Sequence, residues 1–114
     1  MGWRRTVVIS KERLEKALVY LAESDETAAY HKAHVARTEL RAKSIKNMVY
    51  LHSEGTVPER NAMAENSKEY QDAMDNYFEA IREYEFIRNK RQTESIVVEV
   101  WRSINSSRNK GNVV

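Results

Sequence analysis

"SEGTVPE", residues 53–59, is the only internal stretch of the chain that carries glycine or proline. The two other glycines, Gly2 and Gly111, lie near the ends. Helix interiors reject both residue types, glycine for its backbone entropy and proline for its missing N–H. One internal break therefore predicts two long helical arms joined by one turn. The first arm starts at Ser10, a good N-cap, with Glu12 in the first turn to suit the helix dipole. It ends near Ser53, where Gly55 is placed to terminate it. The second arm opens at "TVPE": Thr56 caps it, Pro58 sits in its first turn and Glu59 takes the capping-box position. It runs to about Ser106.

Two softer joints interrupt these arms. "ESDE" at 23–26 suits the start of a new helix, and "ENSKE" at 65–69 puts Asn66 and Glu69 at capping-box spacing. The fold expected is all-α: a long antiparallel helical hairpin of two long helices, with short helices at 11–22 and 58–65. An N-terminal arm (1–9) precedes a single helical-hairpin domain (10–106), and a basic flexible tail (107–114) follows it. A chain of 114 residues has room for one such domain.

Hydrophobic periodicity supports the arms. Tyr70, Tyr77 and Tyr84 recur every seven residues, and Ala73, Ala80, Ile87, Glu94 and Trp101 fill the other seam position. On the first arm Ala28, Val35, Ala42 and Val49 recur in the same way, with His31, Thr38, Ile45 and His52 between them. Folding about residues 55–56 sets Tyr84 on Ala28, Tyr77 on Val35 and Tyr70 on Ala42, large against small. Charge agrees with this pairing. Residues 28–53 carry five Lys/Arg against one Glu, and residues 57–87 carry three against eight Asp/Glu. The register brings Arg37 near Asp75 and Lys43 near Glu69.

Some apolar residues fall outside the strict seam. They are Met74, Phe78, Ile81 and Phe86 on the second arm, and Tyr30, Leu40, Tyr50 and Leu51 on the first. A second apolar face on a thin hairpin implies a partner surface, and self-association into a four-helix bundle is the economical solution. At the far end, "SIVVEVWRSINSSRNKGN" (95–112) turns from apolar to basic. Ile96, Val97, Val100, Trp101 and Ile104 are expected to bury against Leu14, Leu18 and Leu21. Arg88, Lys90, Arg91, Arg102, Arg108 and Lys110 cluster there against only Glu94 and Glu99, which makes them candidate nucleic-acid contacts.

Other chemistry finds little support. The chain has no cysteine, so a disulfide framework and a thiolate zinc site are excluded. His31, His34 and His52 lack the Glu-x-x-His pairs of a di-iron bundle, and they read as seam or surface residues. No G-x-S-x-G and no glycine-rich phosphate loop is present. No apolar run approaches the ~20 residues of a membrane span. No catalytic residue, cofactor or metal is expected. Glu65, Glu69, Asp72, Glu79 and Glu83 line part of one helix face. They read as a solvated face paired with the basic arm, or as a surface that imitates a phosphate strand.

The segments "YLAESDE" (20–26), "SEGTVPERNAMAE" (53–65) and "VEVWRSINSSRNKGN" (98–112) resemble a family of small all-helical tailed-bacteriophage proteins encoded among early recombination and replication genes. The likeness covers about residues 10–112 and rests on structural motifs, two helix boundaries and one Trp-bearing helix end. It implies the cytoplasm of an infected bacterium and a role in DNA metabolism, and it carries no functional residues over. The expectation is a non-enzymatic accessory protein acting by binding. Its expected partners are itself and a phage recombination protein or DNA. The rival expectation is an inhibitor of a host defence or DNA-processing enzyme, acting through its acidic or aromatic helix face.

Overall fold

The structure, a computed structural model, describes residues 8–111, with Asn109 to Gly111 described by backbone alone. The rest of the N-terminal arm, the side chain of Lys110 and the end of the basic tail lie outside the described residues. Four α-helices account for most of the described chain, and no strand occurs among those residues. They are α1 (Lys11–Glu23), α2 (Asp25–His52), α3 (Val57–Glu65) and α4 (Lys68–Gly111). None is long and apolar enough to cross a membrane.

The helix ends follow local chemistry. Ser10 caps α1, its hydroxyl accepting from the Arg13 N–H at 3.0 Å. Ser24 alone separates α1 from α2, and its N–H donates to the Tyr20 carbonyl. Past α2, Gly55 adopts φ +120°, where a Cβ would lie 2.6 Å from Glu59 Oε2. The left-handed backbone requires glycine there, whereas the Glu59 carboxylate is the end of a flexible side chain that can move aside. Thr56 caps α3 by accepting from the Glu59 N–H, with Pro58 in the first turn.

The joint before α4 departs from the expected capping box. Asn66 ends α3 instead, its side-chain amide donating to the Ala62 carbonyl. Ser67 takes the capping role for α4, its hydroxyl accepting from the Tyr70 N–H at 3.2 Å. The last helix also runs past Ser106 to Gly111.

Contacts divide the chain into two compact units. Unit 1 combines Met1–Glu26 with Ile87–Val114, and unit 2 is Thr27–Phe86. Within unit 1, Arg13 meets Glu94 while Leu21, Ser24 and Asp25 meet Arg91, so the segments run antiparallel. Within unit 2, His31 meets Glu83 and Lys46 meets Tyr70, again antiparallel.

The seam is narrower than expected. Among the described residues the buried apolar ones are Ala17, Ala42, Ala64, Ala73 and Ala80, and no large side chain is fully buried. Tyr70, Tyr77, Tyr84 and Trp101 are only half-buried. Leu18 and Ile96, expected in the core, are 47% and 55% exposed. Thr38 is buried with its hydroxyl satisfied by the His34 and Val35 carbonyls. The charge pairs shift as well. Lys43 pairs with Glu39 in its own helix, Lys46 reaches Glu65, and Arg37 and Asp75 form no ion pair. The cause is α3, which takes up residues the simple hairpin register gives to the second arm.

An alanine seam makes a direct prediction. Ala80→Leu should destabilise by about 1–3 kcal/mol through overpacking. Ala36→Leu, on the exposed side of α2, should stay within ~0.5 kcal/mol. Urea denaturation midpoints compare the two, and equal midpoints would place the seam elsewhere.

Candidate interaction surfaces

The cationic end of α4 was the expected nucleic-acid surface, and the structure commits most of its charges within unit 1. Arg91 donates through Nη1 to the Leu21 carbonyl (2.9 Å) and the Ser24 hydroxyl (2.5 Å), and through Nη2 to Asp25 Oδ1 (2.6 Å). Its fork closes the end of α1 and ties the α1–α2 joint to α4. Lys90 places its ammonium 4.6 Å from the Tyr20 ring centroid. Arg102 pairs with Glu99 one turn away, and Arg88 also interacts within the chain. Arg108 is exposed. Of the five cations whose side chains are described, Arg91 is half-buried and Arg88, Lys90, Arg102 and Arg108 are exposed.

Glu94 occupies a seam position and is buried, 7% exposed. Arg13 of α1 supplies its partner, and that carboxylate holds the Arg13 guanidinium above its ordinary pKa. A carboxylate at a seam position is tolerable only with such a partner. Pattern reasoning placed Glu94 in the seam. It did not find Arg13, because the two lie far apart in sequence.

Unit 2 presents the aromatic and aliphatic surface. Phe78, Phe86, Tyr30 and Leu40 are 56%, 63%, 56% and 65% exposed, outside the seam. Met48 and Leu51 are exposed too. Tyr50 behaves differently: it is half-buried, with Arg60 of α3 4.3 Å from its ring centroid. The Arg60 guanidinium donates to the Tyr50 carbonyl, which ties α3 back onto α2. On one face of the unit, Glu39, Ala42, Lys43, Lys46, Tyr70, Met74 and Tyr77 line an open groove. Tyr70 and Ala42 both line this groove.

The histidines of α2 sit beside these residues. The His34 ring stacks on Tyr30 at 5.7 Å, and His31 Nδ1 lies 3.6 Å from Glu83 Oε2. Among the described residues no three His, Asp or Glu side chains are grouped to hold a metal ion. The acidic face is partly used: Glu65 meets Lys46, Glu83 meets His31, and Glu79 meets Arg82, whose guanidinium lowers the Glu79 pKa. Glu69 and Asp72 form no ion pair among the described residues, and neither do Arg37 and Arg41 of α2. These four exposed charges were not singled out together by the sequence reading. The signal was present in the heptad positions they share.

No family model matches the sequence, and no curated protein or solved structure matches it.

Arg91 gives the sharpest test of this partition. Arg91→Ala strands the Ser24 hydroxyl and the Leu21 carbonyl and should cost about 1–3 kcal/mol of stability. Arg91→Lys keeps the charge but loses the fork, so it should recover only part of that. Thermal denaturation of the two variants checks this; an Arg91→Ala protein as stable as the parent would return Arg91 to the pool of binding cations.

Proposed function

We propose that this chain is a non-enzymatic accessory protein that acts by binding and works as an assembly of two or more copies. The observation that carries the reading is the poverty of its own core. Among the described residues five alanines are the buried apolar ones, while Tyr30, Leu40, Met48, Leu51, Phe78 and Phe86 of unit 2 stay exposed. Stability scales with apolar area removed from water, and alanine contributes little. A second hairpin laid on the first, giving a four-helix bundle, supplies the missing burial.

The setting we propose is DNA recombination or replication in the cytoplasm of a phage-infected bacterium. Its support is the resemblance carried by residues 20–26, 53–65 and 98–112. Within that setting a protein of the recombination machinery is favoured over DNA as the partner, because Lys90, Arg91 and Arg102 already have partners within unit 1. The second reading, inhibition of a host defence or DNA-processing enzyme, is favoured by the unpaired carboxylates of Glu69 and Asp72 on the acidic face.

Sedimentation equilibrium at tens of micromolar should give a mass of at least twice 13.3 kDa. A monomer mass would sink the assembly reading. Binding to duplex DNA should be weak and should show a shallow salt dependence, because few cations are free to displace counterions. A steep salt slope would favour direct DNA binding instead.

A further inference from the structure

We propose that unit 2 docks face to face on a second copy of this chain, with Arg41 of α2 lying against Asp72 of the second copy's α4 and the basic row of Arg37 and Arg41 facing the acidic row of Glu69 and Asp72. The inference rests on the assembly reading above and specifies its geometry.

Two stripes carry it. On α2, Tyr30, His34, Arg37, Arg41, Ser44 and Met48 follow one another at alternating spacings of four and three, so they share one side of the helix. Tyr30 and Met48 are 56% and 58% exposed, and both arginines are exposed. On α4, Glu69, Asp72, Asn76 and Glu83 share one side by the same spacing rule. The groove of unit 2 takes the flank of α2 bearing Glu39, Lys43 and Lys46 and the flank of α4 bearing Met74. Both stripes lie on the opposite flanks, so both open onto the same face.

The charges on the two faces are treated differently by the fold. Toward the groove, Lys43 and Lys46 are paired with Glu39 and Glu65. On the stripe face, neither Arg37 nor Arg41 has an ion partner among the described residues, and neither do Glu69 and Asp72. Arg37 and Arg41 thus stand on the same surface as Glu69 and Asp72, all four without an ion partner among the described residues.

A two-fold dimer can use this face in two ways. A two-fold axis across the helices lays α2 on the second copy's α2. That sets a segment with five Lys/Arg and one Glu (28–53) against itself. A two-fold axis along the helices lays α2 on the second copy's α4, at the level α2 already has against its own α4. His31 stands beside Glu83 and Lys46 beside Tyr70 within one copy, so Arg41 arrives level with the second copy's Asp72. Like charges across an interface are strongly unfavourable, and opposite charges fix the register. The second arrangement sets Arg41 beside the second copy's Asp72 twice, once in each half of an isologous interface, with Arg37 and Glu69 further along the same two rows. It also covers Tyr30 and Met48. Both halves of the complementarity reside on one chain, which is why the occupant is a second copy.

Reciprocal charge reversal tests this. Arg37→Glu with Arg41→Glu should keep its helicity by circular dichroism, because both sites are exposed. It should weaken dimerisation by about tenfold or more in sedimentation. Glu69→Arg with Asp72→Arg should do the same. Mixing the two double variants should restore a dimer, since every contact then joins opposite charges. A chain carrying all four reversals should self-associate like the parent. A parent protein that sediments as a monomer would overturn the assembly reading itself. A parental dimer whose double variants dimerise as tightly as the parent, or stay monomeric when mixed, would overturn this geometry and leave the assembly reading standing.

Discussion

The seam between the long helices is built of alanine, and the rest of the molecule answers to that. Ala42, Ala73 and Ala80 in unit 2 and Ala17 in unit 1 sit where larger side chains would hold the helix axes apart. Each alanine removes little apolar surface from water. A chain with such a seam depends on interactions at its edges, and on whatever else comes to lie against its outer faces.

The edge interactions of unit 1 are polar. Arg91 gathers the end of α1, Ser24 and Asp25 into one clamp, and Glu94 draws Arg13 across from the other helix. These contacts do the positioning that a larger apolar core would otherwise do. They also consume charge. A cation held by a carbonyl, a hydroxyl and a carboxylate is not available to a phosphate, which sets Arg91 apart from the exposed cations of the same helix end.

In unit 2 the short helix α3 has the larger influence. Arg60 anchors it on Tyr50, and Gly55 gives the chain the turn that lets it fold back. By taking up residues 57–65, it displaces the register that a simple hairpin would have. Lys46 then finds Glu65, while Arg37 and Arg41 are left on one side of α2 and Glu69 and Asp72 on one side of α4.

Much of the helical organisation was legible in the residues themselves. The caps at Ser10 and Thr56, the stop at Gly55 and the short helices near 11–22 and 58–65 follow from backbone chemistry that acts within a few residues. Heptad spacing likewise placed Phe78, Phe86, Tyr30 and Leu40 off the seam, because periodicity alone says which residues share a side. It did not say which half of a mixed stripe is buried. Leu18 and Ile96 read as core by type yet stay exposed, while Glu94 is buried. Nor did it distinguish Ser67 from Asn66 as the residue that caps α4. Those outcomes turn on which residues meet across the chain: Arg13 with Glu94, Arg91 with Ser24, Arg60 with Tyr50. Such pairings are set by register, and register depends on how α3 and the α1–α2 joint pack. That is a tertiary decision, because no local preference distinguishes one register of an alanine seam from the next.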